Sequence, residues 1–459
     1  MKIKIIFLLL SSSLFANEIN FEDALKKTLT NNNELKAKKL DIETSKVNLQ
    51  NAKGYELGTL TFNENIAKTN NALNAFGMKL MSREAQMSDF GFTTVSFGQI
   101  MANMQQNQEI GNIQPAALNY PEARTNFETK LTYEVPLFTG YKLQNAKTMS
   151  ELQIKANEAK YKFDEKQLSL EVLKAYNGAV ASKYFIDATK KAKETTNSFV
   201  YLASEMFKEG FATKIDVQQA EVYDMKINSN MIEAKNQYSL AIAYLKFLTN
   251  DHQITDVTDF KNITSSKEDM KALQDSAISN RDDLKWMERN TKTMETKVEF
   301  EKSGNYPMIG THLEYGYNDN QLDNLRGNKD YYTLAVGLEY KIFDGFTTSS
   351  NIEKAKIEYA KTKHYLEHMK DGLKLNVEKA YLTKQAKASV LEEKLKAQTL
   401  ATDILEKSKE MYQNQLMTMS DLLLQSANEQ KARAESIMAK YEFTLASAEL
   451  QLAIGQELN

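Results

Sequence analysis

The sequence predicts a mainly α-helical chain that carries a transmembrane β-barrel. An internally duplicated unit, three chains together, would close a trimeric, roughly 12-stranded β-barrel that continues into a roughly 12-column α-helical barrel. Three observations carry this. The chain of 459 residues has only 4 Pro and 17 Gly, and these concentrate in two windows that separate long stretches rich in Lys, Glu, Ala, Leu and Gln. Segments of the first half recur in the second at a constant offset. Within the two windows, apolar residues alternate with small or charged ones, the period of a half-exposed strand.

Taken in chain order, the first segment, residues 1–16, pairs Lys2 and Lys4 with an apolar run ending at Ala16. It reads as a secretory signal peptide, too short to span a bilayer. Its loss moves the net charge from −3 to −5, the wrong sign for a nucleic-acid binder. An exported chain with no Cys has neither disulfides nor a lipid-modified cysteine. No later stretch approaches the roughly 18 continuous apolar residues of a membrane helix, and the mean hydropathy of −0.52 alone would suggest a soluble secreted protein.

The breakers then set the order. Pro115, Pro121 and Pro136, with most glycines, lie in the first window, and Pro307 opens the second. The chain reads as helix (21–54), irregular or extended (55–140), helices (141–249), linker (250–270), helix (271–303), extended (304–345) and helices (346–455). The divisions expected are a first structural repeat over 17–250, a linker over 251–270 and a second repeat over 271–459. Ile227, Met231, Ala234, Tyr238, Ala241, Leu245 and Leu248 keep a seven-residue repeat. Residues 432–453 carry two such stripes, one through Ala434, Met438, Tyr441 and Leu445, the other through Ser436, Ala439, Phe443 and Ala446. Two seams imply two helical neighbours, as in the wall of a closed ring; an ordinary helical bundle is the other solution.

The duplication is read from matched residues. Phe138 and Gly140 correspond to Phe343 and Gly345, and Val172, Ala175 and Tyr176 to Val377, Ala380 and Tyr381, all 205 positions apart. Asp216 with Asp421 and Leu245 with Leu450 keep the same offset. Upstream, Ala24-Leu25 matches Ala272-Leu273 at an offset of 248. The first copy therefore holds an insertion within 56–130, where NAFGMKL and LNYPEAR fall.

In the second window Tyr332, Leu334, Val336, Leu338, Tyr340 and Ile342 alternate with Thr333, Ala335, Gly337, Glu339 and Lys341. Ile309 to Tyr317 supplies its partner. In the first window Phe127, Leu131, Tyr133 and Val135 alternate with Glu128, Lys130, Thr132 and Glu134, and a less regular strand lies near Leu57–Ile66 with Leu60 and Phe62 outward. Tyr at both ends of an apolar row suits a transmembrane barrel strand, although half-buried sheets of soluble proteins alternate too. Four strands cannot close a barrel, and open edges are not tolerated in lipid, so spanning requires several copies. The helix from Leu143 to Lys208 would be about 100 Å long. Two shorter helices end to end match it, giving four columns per chain.

On these residues the chain resembles the TolC-type outer membrane efflux proteins, the exit ducts of tripartite drug pumps and of type I secretion systems. The resemblance rests on TNNNELKAKKLDIETSK, on the junctions VPLFTGYKLQNA and KIFDGFTTSSNIEKA, on the hairpins MFKEGFATKIDVQQAEV and MYQNQLMTMSDLLLQSA, and on the terminal YEFTLASAELQLAIG. It implies a homotrimer in the outer membrane of a Gram-negative bacterium with a large periplasmic portion. It also implies an equatorial collar near 250–270, and a periplasmic tip that docks an adaptor (membrane fusion) protein and an inner-membrane pump.

The resemblance further implies a periplasmic gate where the helical hairpins close the tunnel. Asp421 matches an acidic ring, Tyr412 a gate tyrosine and Asp216 its partner in the first hairpin. Met417 stands at the gate arginine position and Leu424 at the second acidic position, a departure that puts the family's ionic lock in question. Asp216 and Asp421 also suit the capping of the helices they begin, a role compatible with lining a pore. His364, Glu367 and His368 fit an H-x-x-E-H pattern, read as a solvated helix face for want of a third ligand. Phosphate-loop, serine-elbow and cysteine-nucleophile patterns are absent, so no catalytic residue, cofactor or metal is expected. Methionines in LMSREAQM and MANMQQ read as flexible residues of an external loop. The competing function is a secreted coiled-coil scaffold or adhesin without a pore.

Overall fold

The computed structural model describes residues 18–106, 114–263, 269–322 and 328–458. The expected signal segment, 1–16, lies outside the described residues, as does 264–268 within the expected linker. The chain forms two compact units, one of residues up to Thr44, Gln153–Thr291 and residues from Lys361, the other of Ser45–Leu152 and Lys292–Ala360.

The first unit is helical. It contains α1 (Phe21–Asn31), most of α6 (Lys142–Lys208), α7 (Lys214–Thr249), α8 (Met270–Asn280), most of α10 (Thr347–Gln413) and α11 (Met419–Ala453). Two-residue strands β1 (Glu18–Ile19) and β4 (Asp256–Val257) pair in parallel. Around Tyr176, fully buried, gather Phe21, Ala24, Val172, Leu173, Leu245, Ile254 and Val257. The segment after α7 is pinned over this core, with the Tyr176 hydroxyl 2.7 Å from Thr258 Oγ1 and Lys183 Nζ donating to Asp256 and to the Val257 carbonyl (2.8 and 2.7 Å). A second cluster of Leu273, Ala277, Val377, Leu450, Ala453 and Ile454, flanked by Tyr381, repeats the first with its matched residues. Each buried Val, Leu or Ile side chain in these clusters contributes about 1.5–3 kcal/mol relative to exposure.

Elements recur at the offset read from sequence. α6 and α10 each have 67 residues and start and end 205 positions apart, and α7 and α11 start 205 apart. The left-handed backbone positions recur as well: Gly140 and Tyr141 with Gly345 and Phe346, Gly210 with Gln415, Asn250 with Gly455. The helices expected over 21–54 and 271–303 are each broken once, α1 from α2 (Asn33–Leu57) at Asn32 and α8 from α9 (Asp282–Lys302) at Arg281. Asn32 has ψ 124° and Arg281 ψ 123°. Side chains hold the breaks open. Asn32 Nδ2 donates to the Leu248 carbonyl (3.2 Å), while Lys166 Nζ reaches both Asp282 Oδ2 (2.6 Å) and the Gly455 carbonyl (2.9 Å).

The second unit holds a four-stranded antiparallel sheet in the order β2 (Thr59–Thr69), β3 (Arg124–Phe138), β5 (Met308–Asp319), β6 (Asp330–Glu339). Its register lines Leu60, Tyr133, Leu313 and Leu334 in one row, and Phe62, Leu131, Tyr315 and Tyr332 in the next. These side chains share one face and are exposed. The other face carries Glu128, Lys130, His312 and Glu314, with Lys130 Nζ 3.3 Å from Glu314. The irregular strand expected near Leu57–Ile66 starts after helix α2 ends and runs to Thr69. The strand expected through Ile342 ends at Glu339.

The region expected to be irregular contains α3 (Ala72–Met81), a 3-10 turn (Met87–Phe90), α4 (Thr94–Gln105) and α5 (Ala116–Asn119). Caps account for the difference. Asn71 accepts from Asn74 N, and Thr93 and Ser96 form a reciprocal box, so starts are fixed by side chains in a composition that reads as loop.

Candidate functional site

The two helical hairpins of the first unit end in turns built alike. Phe211 N donates to the Met206 carbonyl (2.7 Å) and Leu416 N to the Met411 carbonyl (2.9 Å), each closing a helix through a left-handed residue, Gly210 at φ +82° and Gln415 at φ +60°. Thr213 and Thr418 then begin the next helices. The Asp216 carboxylate accepts from Thr213 N and Oγ1, both at 2.7 Å, and Asp421 accepts from Thr418 Oγ1 at 2.7 Å. Both aspartates lie in the first turn of a helix, where the macrodipole favours a negative charge. Asp216 is half-buried and Asp421 exposed.

Between the hairpins lies an apolar knot of Phe199, Ala203, Ala220, Tyr412, Met419 and Leu422, with Met417 packed on it. Tyr412 is buried, and its hydroxyl has no hydrogen-bond partner. Burial pushes its phenol above the ordinary value, and the Asp216 carboxylate pushes it the same way. Met417 contributes apolar packing to the knot, and Leu424 is exposed.

Sequence reasoning missed the polar ties across this knot. Ser420 Oγ donates to Gln219 Oε1 (3.1 Å), and Gln430 Nε2 donates to the Tyr223 hydroxyl (3.1 Å), both joining α11 to α7. Farther along the helices, Asp224 and Glu429 stand 205 apart. Asp224 accepts from Lys193 and from Thr196 Oγ1 (2.8 Å), and buried Glu429 accepts from Arg433 Nε (2.8 Å). The constant offset would have paired these two acids, whereas the neutral pairs carry no spacing signal. Phe207, Phe211, Ile215 and Leu416 are exposed around the turns. In α10, Glu367 of the His364/His368 motif is paired with Lys370 (2.9 Å) on an exposed face.

A sheet apolar on one face and charged on the other, in a chain that also carries duplicated long helices and paired helical hairpins, has the features of the barrel-and-tunnel class of outer membrane channels. The chain matches the family model described as outer membrane efflux protein over residues 102–251 and 273–456. It belongs to that family, the TolC-type outer membrane factors, and resides in the outer membrane of a Gram-negative bacterium with a large periplasmic part. No curated protein matches it by sequence. Among solved structures it is similar to CusC (TM-score 0.77, 11% identity, covering 95% of this chain and 92% of that one). It is also similar to the CmeC outer membrane channel of Campylobacter jejuni (0.76, 16%, 95% and 85%) and to VceC of Vibrio cholerae (0.75, 13%, 96% and 97%). At these identities the likeness establishes the fold.

Proposed function

We propose that three copies of this chain form an exit duct that passively conducts substrates from a periplasmic adaptor and inner-membrane pump to the exterior. The observation that carries this is the sheet. β2 and β6 are each paired on one side only, while Leu60, Phe62, Leu334 and Val336 beside those edges are exposed. An open edge in lipid leaves each backbone group unsatisfied at a cost of several kcal/mol, and joining β6 of one copy to β2 of the next removes both edges. Exposed apolar residues on α7 (Val222, Ile232, Leu240) and on α10 (Leu375, Leu382, Leu400) ask for neighbours in the same way.

The hairpin turns then form the periplasmic gate. Asp421 lines the opening while also bracing the Thr418 cap of α11, Tyr412 sits in the knot behind it with Asp216 in the first turn of α7, and the lock is apolar packing plus the Gln219–Ser420 and Tyr223–Gln430 hydrogen bonds. Phe207, Phe211, Ile215 and Leu416 offer the adaptor an apolar tip. The channel conducts when a partner separates the hairpins, a bistable element of the helix-shift kind.

The test is an SDS-resistant trimer in outer membrane fractions that gives single-channel conductance in planar bilayers; a soluble periplasmic monomer overturns the reading. In the same bilayers Asp421→Ala is expected to weaken block by polyvalent cations, since three carboxylates around a narrow opening concentrate them. Unchanged block removes Asp421 from the pore. Deleting the chain and scoring drug sensitivity against lost protein secretion identifies the cargo class.

A further inference from the structure

The insertion in the first copy has no counterpart in the second, where a short connection joins β5 to β6. It springs from β2, the edge strand to which a neighbouring copy would add. From Phe90 to Gln106 it contains no charged residue. Its α4 is a helix of 12 residues, TVSFGQIMANMQ, none of which is buried in the single chain. A helix this short is marginal in water without a packed face, yet Val95, Phe97, Met101 and Met104 are all exposed, with Phe92 just ahead of the helix.

The other end of the insertion is firmly held. Arg124, at the start of β3, donates to Ser82 Oγ (2.7 Å) and pairs with Glu84. Lys329 Nζ joins Glu84 Oε1 (2.5 Å) to Asp319 Oδ1 (2.8 Å), and Arg83 donates to the Asp330 carbonyl (2.8 Å). These ties place the insertion over one particular face. Arg124 and Asn126 alternate with Phe127 and share the face of Glu128 and Lys130, away from lipid. Asn126 and its partner Asn318 are buried there (4% and 1% exposed), where α3 lies against β3. The insertion that carries the uncharged helix is therefore anchored, through residues 82–84 and α3, at one end of the channel face of the sheet. The helix offers none of the lysines or arginines that would greet anionic lipid headgroups.

Resting on the trimeric reading above, we propose that the α4 segments of three copies pack on one another through Phe97, Met101 and Met104. They form an apolar plug across the outer mouth of the channel, which no single chain can complete. The occupant of each exposed α4 face is the α4 of a second copy. The ionic clasp of Arg124, Glu84, Lys329 and Asp319 anchors each third of the plug to its own strands.

The chain has no cysteine, so single cysteines report directly. In intact cells, with trimer content checked by SDS-resistant migration, Thr132→Cys on the channel face is exposed to a bulky membrane-impermeant maleimide. Labelling is expected to rise roughly tenfold when Phe97→Glu and Met101→Glu are added, because three copies of each acid cannot share a dry contact and the closed population falls. Met104→Cys is expected to give oxidised cross-links between chains at the cell surface. The plug is overturned if the trimer is intact while Thr132→Cys labels equally in both backgrounds and Met104→Cys stays monomeric and freely labelled. Binding of vesicles rich in anionic lipid to α4, lost in the double variant, would assign the face to lipid and also overturns it. Loss of the trimer itself points instead to failure of the duct reading. Since no α4 residue is buried, the double variant leaves the fold of the single chain intact.

Discussion

Tyr412 shows how a side chain can be central to a contact without its polar atom contributing. The ring fills the knot between the hairpins, but the hydroxyl is buried without a partner and faces the charge of Asp216. An unsatisfied buried hydroxyl costs about 1–3 kcal/mol. If the knot is the gate proposed above, Tyr412→Phe is expected to leave it as tight or tighter, whereas Tyr412→Ala removes the packing, at about 3 kcal/mol or more, and raises resting conductance. A leaky Tyr412→Phe channel would show that the hydroxyl has a partner in the assembled gate. At this scale the capping of the two helices was legible in Asp216 and Asp421, but the N-caps themselves are Thr213 and Thr418, three residues earlier, whose hydroxyls pair with those carboxylates. The Gln219–Ser420 and Tyr223–Gln430 ties were not legible, since uncharged pairs between distant helices leave no trace in composition or period.

Among elements, the decisive feature is that turns, breaks and strand-to-helix junctions repeat at one spacing while their residues change. Gln415 holds the left-handed conformation that Gly210 holds in the first copy, and Asn250 the one that Gly455 holds in the second. The repeats differ in crowding. A Cβ at Gly210 meets nothing within 4 Å, whereas one at Gly455 would come within 2.8 Å of Asn280 backbone and 2.9 Å of Arg281 N. Gly210→Ala is expected to cost about 1 kcal/mol, the conformational penalty alone. Gly455→Ala must also push the α8–α9 break away from the end of α11, and more than about 2 kcal/mol is expected. Thermal melting of the trimer checks this, and equal shifts for the two variants would remove the contact from the account. The one-residue breaks at Asn32 and Arg281 escaped the sequence because neither Pro nor Gly marks them. Hydrogen bonds from Asn32 and Lys166 to partners far along the chain make them. The helices of the insertion escaped because Gly and Asn dilute helix propensity, while the caps that start them occupy single positions.

For the whole molecule, the sheet's two faces set what can be changed. Leu334, in the outward row with Leu313 and Tyr133, is expected to tolerate no charge. Leu334→Arg at mid-strand should cost about 2–4 kcal/mol and deplete the trimer from the membrane, whereas Thr333→Arg on the opposite face should assemble and alter conductance. Equal assembly of the two would reverse the assignment of faces. The strand pattern, the duplication and the long helices made this architecture readable, because membrane strands and tunnel helices both impose strict periods on sequence. What joins one copy to another is not written in any period. The free rows of hydrogen-bonding groups along β2 and β6 have a further consequence, which concerns time. A newly exported chain carries two unpaired edges beside exposed Leu60, Phe62, Leu334 and Val336 through an aqueous compartment before it meets its copies. Such edges pair with any strand they encounter. With the trimeric duct proposed above, production of this protein is expected to be limited by escort and by the rate at which three chains find each other, and overproduction is expected to give periplasmic aggregates before it fills the membrane with channels.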